Sequence, residues 1–256
     1  MLVERENSVV ISDDYACPFA SLTLSYGLMS RLSLTAVTPY IWQCKRRYVL
    51  AVGQWLESTG DGLGDVTLLV RYSPLARSFV NFRELSLGVG LKCPTGVTDR
   101  RNYNFLLPEE LQPGSGSWDI PLAVSHYQGF ERIDFYLSTS YLLTGTHNSY
   151  KFGEQFSYLA SANLHVASRV DASLALSGVA RAKDRQAGEK LGSTGRHQLW
   201  LVPGIQIELL TELLTLQTYA EIPIYQHFSG MQFASDFNLR VTAVSTMPLV
   251  GSGEED

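Results

Sequence analysis

Hydrophobic and polar positions alternate with a period of two along most of the chain. In Leu22, Leu24, Tyr26 and Leu28 the even positions are apolar, with Ser21, Thr23 and Ser25 between them. After Met29-Ser30-Arg31 the pattern resumes at Leu32, Leu34 and Ala36 and reaches Tyr40 and Trp42. Val66, Leu68, Val70 and Tyr72 alternate with Asp65, Thr67 and Arg71, interrupted only by Leu69. Leu85, Leu87, Val89 and Leu91 interleave with Ser86, Gly88, Gly90 and Lys92. The second half repeats this at Ile120–Val124, Ile133–Tyr141, Phe156–Val166 and Ala172–Leu176, and then less cleanly over 198–208, 213–225 and 234–245. Successive side chains of an extended strand point to opposite faces, so each run predicts a strand with one apolar and one polar face. About eleven such strands are predicted, most near the 9–11 residues of a tilted membrane strand. Bacterial barrels favour even strand numbers, which places a twelfth in the poorly patterned stretch Val3–Ile11.

The connections sort into two kinds. Short links fall near 29–31, 128–131, 168–169 and 209–212, with a somewhat longer one at 73–81; long polar links fall near 43–62, 94–117, 145–153, 182–196 and 226–233. They alternate along the chain, as periplasmic turns and extracellular loops do in an outer-membrane barrel. A sandwich with Greek-key crossovers has no reason to sort its loops in this way. The pattern predicts an all-β, antiparallel up-and-down transmembrane β-barrel over 20–246. An N-terminal segment, 1–19, would hold the first strand and loop, and 247–256 would form a disordered tail. Both termini would then be periplasmic.

Composition adjusts this picture only at the margins. The chain is 45% hydrophobic with a mean hydropathy of −0.01, because Ser, Thr, Gly and Tyr dilute the apolar residues. No stretch approaches the roughly 18 apolar residues of a membrane helix. A net charge of −5 argues against a nucleic-acid partner. The one dense basic cluster, Lys45-Arg46-Arg47, reads as a solvated loop or a contact for anionic headgroups. Met1-Leu2-Val3-Glu4-Arg5-Glu6 has no apolar h-region and is not a signal peptide, although an outer-membrane protein requires an export signal.

Charge placement is a sharper test, because Arg or Lys on the lipid face at mid-membrane costs about 2–4 kcal/mol. Asp65, Arg71, Glu84, Lys92, Asp134, Glu221 and Arg240 share the polar parity of their strands, whereas Arg83 breaks it beside a turn. With His165 they are the candidate lumen and selectivity residues. Counting outward from the turns sets Arg71 opposite Glu84 and Glu221 roughly opposite Arg240. Tyr26, Tyr40, Trp42, Tyr72, Trp118, Tyr127, Tyr141, Phe156 and Tyr158 gather toward strand ends, as interfacial girdles require. Cys17 and Cys44 fall almost opposite each other, one residue out of parity, so a disulfide between them would need a bulge. Gly62 and Gly64 suit a loop re-entering a strand, and Gly88 and Gly90 leave room on the inner face.

Several segments resemble a known family. They are Tyr26-Gly27-Leu28 through Arg31-Leu32 with Leu34 to Pro39-Tyr40; Gly62-Leu63-Gly64-Asp65-Val66 with Val70-Arg71-Tyr72; Leu87-Gly88-Val89-Gly90-Leu91-Lys92 with Pro94-Thr95-Gly96; and Ile222-Pro223-Ile224-Tyr225-Gln226 with Gly230-Met231-Gln232. Together they are similar to the phenol meta-pathway family of outer-membrane channels, from about Ser21 to Val244. The resemblance implies a transporter-like barrel, associated in some members with uptake of aromatic or other hydrophobic compounds. Barrels of this kind end on an aromatic residue, and the segment Met247–Gly253 followed by acids departs from that.

One arrangement could be catalytic. His227 and Ser229 share a strand parity, as in outer-membrane phospholipases where an Asn completes the set, and Asn238 is close in sequence. Asn238 has inward parity, however, and 226–233 is a predicted loop. There is no CxxC, HExxH or carboxylate pair, so neither a metal nor another cofactor is expected. Three readings remain: a passive channel for small solutes, a lipid-active hydrolase, and a non-transporting barrel or soluble lipocalin-like binder. The first has outer-membrane lipid, small hydrophobic or aromatic solutes and the barrel-assembly machinery as partners. A soluble binder would place Leu87, Leu122, Leu137 and Leu174 in its interior.

Overall fold

The structure, a computed structural model, describes residues 10–16, 18–49, 54–75, 82–102, 104–210, 213–230, 232, 234 and 236–245. Thirteen strands form one antiparallel sheet. They are β1 (Val10–Ala16), β2 (Phe19–Met29), β3 (Leu32–Val49), β4 (Gln54–Leu63), β5 (Val66–Leu75), β6 (Arg83–Cys93) and β7 (Ile120–Gly129), followed by β8 (Ile133–Leu143), β9 (Gln155–Ala167), β10 (Val170–Arg181), β11 (Arg196–Leu210), β12 (Leu214–Phe228) and β13 (Asn238–Ser245). From β5 onward each strand pairs with its neighbours in sequence, an up-and-down meander.

The long strand β3 organises the start of the sheet. Its first half pairs with β2 on one side and β5 on the other, and its second half with β1 and β4. β1 and β2 therefore lie end to end, as do β4 and β5, and the sheet has eleven antiparallel lines. Among the described residues no hydrogen-bonded pairing joins β2 to β13. These two edge strands run in the same direction. Val10 lies opposite Val49 at the long-loop end, and Ser245 lies opposite Leu214 at the short-turn end. Most of the stretch expected to hold a twelfth strand falls outside the described residues, as do the 247–256 tail and Cys17; Ala16, not Cys17, stands opposite Cys44.

The described residues of segment 43–62 are strand, not loop. Tyr40–Val49 pairs residue by residue with Gln54–Leu63, so the hairpin continues beyond the apolar part of the strands. There the register sets Asp14 and Glu57 on either side of Arg46, and Asp13 beside Arg47. Likewise β12 runs on through Phe228, which puts His227 in a strand opposite His197. The remaining connections keep the alternation of short and long: 30–31, 130–132, 168–169 and 211–213 against 94–119, 144–154, 182–195 and 229–237.

The strand faces are chemically distinct. Leu87, Leu122, Leu137 and Leu174 are 44%, 40%, 53% and 52% exposed, and they lie on the face opposite the strand charges. The charge-bearing face is the sheltered one: Ser86 and Gln198 are buried there, together with Ala175 and Val202. An apolar outer surface this extensive is stable against hydrocarbon rather than water. On this face Gly178 is covered by the ring of Tyr158, which would stand 2.2 Å from a β-carbon at that position.

Candidate functional site

The polar face carries the chemistry, and at the long-loop end it is closely knit. Asp65, at the start of β5, accepts hydrogen bonds from the backbone N–H of Gly96 at 2.9 Å and of Ser115 at 2.8 Å, and from the Ser115 hydroxyl at 2.7 Å. Lys92 forms an ion pair with Asp119, lies 3.4 Å from Asp65 and donates to Ser115 Oγ at 2.9 Å. Asp119, essentially inaccessible, also accepts from Ser117 Oγ and from the N–H of Gly145, each at 2.8 Å. Two carboxylates and one ammonium thus fasten loop 94–119 to the wall. The loop has its own interior, in which the Gln112 amide reaches the carbonyls of Arg100 and Leu107 and accepts from Arg100 N–H.

The other long loops continue this network. Asp184, also fully buried, accepts from Arg181 and from the Tyr150 hydroxyl at 2.7 Å, and from Gly153 N–H at 2.6 Å. Gln232 donates to the Gly195 carbonyl at 2.8 Å. Loops 94–119, 144–154, 182–195 and 229–237 are therefore joined in series through Gly145–Asp119, Tyr150–Asp184 and Gln232–Gly195. At the rim, the Tyr141 hydroxyl and then the Lys151 ammonium hold the Glu154 carboxyl below the usual carboxylate range.

Toward the short turns the polar face forms a band of titratable and amide groups. His165 places Nδ1 2.8 Å from Asp171 and Nε2 3.2 Å from Asp134. Asp171 accepts from Gln206 at 3.3 Å, and Gln206 from Gln217 at 2.7 Å, so one chain of contacts crosses β8 to β12. Next along, Arg240 pairs with Glu221, which also accepts from Asn238 at 3.2 Å.

Arg71 does not stand opposite Glu84. The ladder pairs it with Gly88, four residues further along β6, and Glu84 instead accepts from Ser86 at 2.7 Å and Ser73 at 3.3 Å. Gly88 and Gly90 do not open the inner face, because Leu69 covers both: its Cδ1 would lie 3.5 and 3.1 Å from β-carbons there. Leu69, which broke the alternation, is thus an inward apolar filler.

Of the aromatics, Tyr26 and Tyr72 lie on the apolar face near the short turns. Tyr40, Trp42, Tyr141, Phe156 and Tyr158 share that face at the opposite end, and Trp118 is exposed just before β7. Tyr127 does not share their face. It lines a hollow on the polar face with Arg71, Glu84, Ser125 and Tyr136. Phe156, Tyr158, His197 and Tyr225 form a ladder with centroid separations of 5.8, 6.4 and 5.3 Å.

The hydrolase arrangement does not assemble. Asn238 stands opposite Glu221, six strand positions from His227 and therefore roughly 20 Å away at the rise of a β-strand. No group of three metal-ligating side chains occurs among the described residues. Asp119, Asp171, Asp184, Gln206 and Gln217 were not picked out from the sequence. Three of them carried a readable signal, since Asp171, Gln206 and Gln217 alternate with apolar or small neighbours.

The sequence matches no family model, and no curated protein matches it. Among solved structures, the chain is similar to the crystal structure of the COG4313 outer membrane channel from Pseudomonas putida F1. The TM-score is 0.65 at 15% identity, covering 89% of this chain and 81% of that one. The two share a fold.

Proposed function

We propose that the chain closes around its polar face as an outer-membrane barrel and passes small, aromatic or hydrophobic solutes passively along that face. The observation that carries this reading is the segregation of the two faces from β5 to β13. Most leucines and valines look outward, while serines, amides and paired charges line the sheltered side, with Leu69 and Val202 as apolar fillers among them. A soluble binder needs the reverse. Similarity to an outer membrane channel supports the same reading. Outer-membrane lipid and the assembly machinery that inserts barrels are then the macromolecular partners.

Lumen charges act on a permeating solute through the field they set up in a narrow, low-dielectric conduit. Lys92 faces Asp65 and Asp119, His165 faces Asp134 and Asp171, and Arg240 faces Glu221, so the wall offers small mixed clusters rather than a run of one sign. That suits modest ionic selectivity and leaves room for weakly polar solutes. Proteoliposomes tested for osmotic swelling in aromatic acids and in neutral sugars probe this directly. Swelling faster than in protein-free vesicles is expected, above all with the aromatic solutes. Rates equal to the protein-free control would refute the proposal.

A further inference from the structure

The cations of the polar face differ in one respect. Lys92 is held by Asp119 and Asp65, Arg181 by Asp184, and Arg240 by Glu221. Arg71 has no carboxylate partner among the described residues. The β5–β6 ladder sets it opposite Gly88, which has no side chain to engage a guanidinium. Glu84 is occupied by two serine hydroxyls.

Around Arg71 lies a hollow of about 190 Å³, lined also by Glu84, Ser125, Tyr127 and Tyr136. Tyr127 and Tyr136 are direct cross-strand partners, so their two side chains leave the same face side by side. Cavities of roughly 150 Å³ already accept a benzene ring. A guanidinium binds a carboxylate through two parallel N–H donors, and tyrosine side chains supply faces and edges for a second aromatic ring. We infer that Arg71, Tyr127 and Tyr136 form a way station for an aromatic carboxylate crossing the channel. This rests on the channel reading above and adds a solute class and a place to it. Arg71 holds the carboxylate, the tyrosines hold the ring, and Glu84 weakens the attraction enough for the solute to leave again.

The test uses the full chain in planar bilayers and proteoliposomes, with KCl, benzoate, benzamide and acetate as probes. Benzoate flux should exceed benzamide and acetate flux by about tenfold, the scale of one charge-assisted contact. Arg71→Gln should bring benzoate down to the benzamide rate while KCl steps persist, and Arg71→Lys should keep part of the preference. Tyr136→Leu should lower benzoate toward acetate. Glu84→Gln should raise benzoate flux, which gives a test independent of whether the Arg71 variants insert. With KCl steps present, an Arg71→Gln channel that keeps its benzoate preference overturns the inference, as does wild type passing benzoate no faster than benzamide. Absence of any KCl conductance from folded protein overturns the channel reading, and the way station falls with it.

Discussion

Lys92 and Asp119 are joined twice over. Their backbones exchange hydrogen bonds, Lys92 N–H to the Asp119 carbonyl at 2.8 Å and Asp119 N–H to the Lys92 carbonyl at 3.1 Å, and their side chains form an ion pair. The backbone bridge ends the β6–β7 ladder at the mouth, and the ion pair sits where loop 94–119 returns to the wall. Asp119 is 1% exposed, so its charge depends on Lys92.

Removing the cation strands that charge. Lys92→Met leaves Asp119 and Asp65 buried without compensation and should cost about 3–5 kcal/mol. Denaturant unfolding in lipid vesicles measures the loss, and limited proteolysis should show new cleavage within 94–119. Lys92→Arg should retain most of the stability.

Asp184 plays the matching part for the next two loops. Asp184→Ala removes the acceptor of Arg181, Tyr150 and Gly153 together. Cleavage should appear in both 144–154 and 182–195. Gln232→Ala removes one amide bond to Gly195 and should loosen 229–237 alone. Proteolytic mapping by mass spectrometry separates these outcomes.

Adjacent positions test which face meets lipid. Leu137 and Ser138 follow one another in β8 and point to opposite sides. Leu137→Arg should destabilise the folded protein in bilayers by about 2–4 kcal/mol, whereas Ser138→Arg should cost little and alter conductance instead. Refolding titrations of the two variants give the comparison, and equal losses would contradict the face assignment.

His165 sits between Asp134 and Asp171. His165→Leu removes the donor that both carboxylates share and leaves two negative charges on the polar face. The reversal potential in a KCl gradient should shift toward cation preference, and His165→Leu combined with Asp171→Asn should shift it back.

The strands were legible in the sequence because a sheet with one apolar and one polar face imposes strict parity, and most turns because they carry the breaks in that parity. Where both faces are wetted the code lapses. The polar run from Lys45 to Asp61 looks like a loop yet pairs as a hairpin, since beyond the apolar band nothing requires alternation. Arg71 and Glu84 were misaligned because the pairing between β5 and β6 centres some two to three residues later than the polar residues of 73–81 suggest, and Arg71 meets Gly88 instead. Glu221 and Arg240 are diagonal neighbours across the regular β12–β13 ladder, so counting from the turn brought them close. Asp119 and Asp184 escaped notice because their importance comes from residues far away in sequence, Lys92 and Gly145 in one case and Tyr150 and Gly153 in the other. Leu69 and Tyr127 show the opposite error, an apolar and an aromatic side chain on a face expected to be polar.

Single-channel recording of the purified, folded protein in planar bilayers tests the central claim most directly. Discrete, reproducible KCl current steps are expected, with the step size changed by Ser138→Arg. Folded protein that inserts yet leaves the bilayer as silent as the protein-free control would contradict the account.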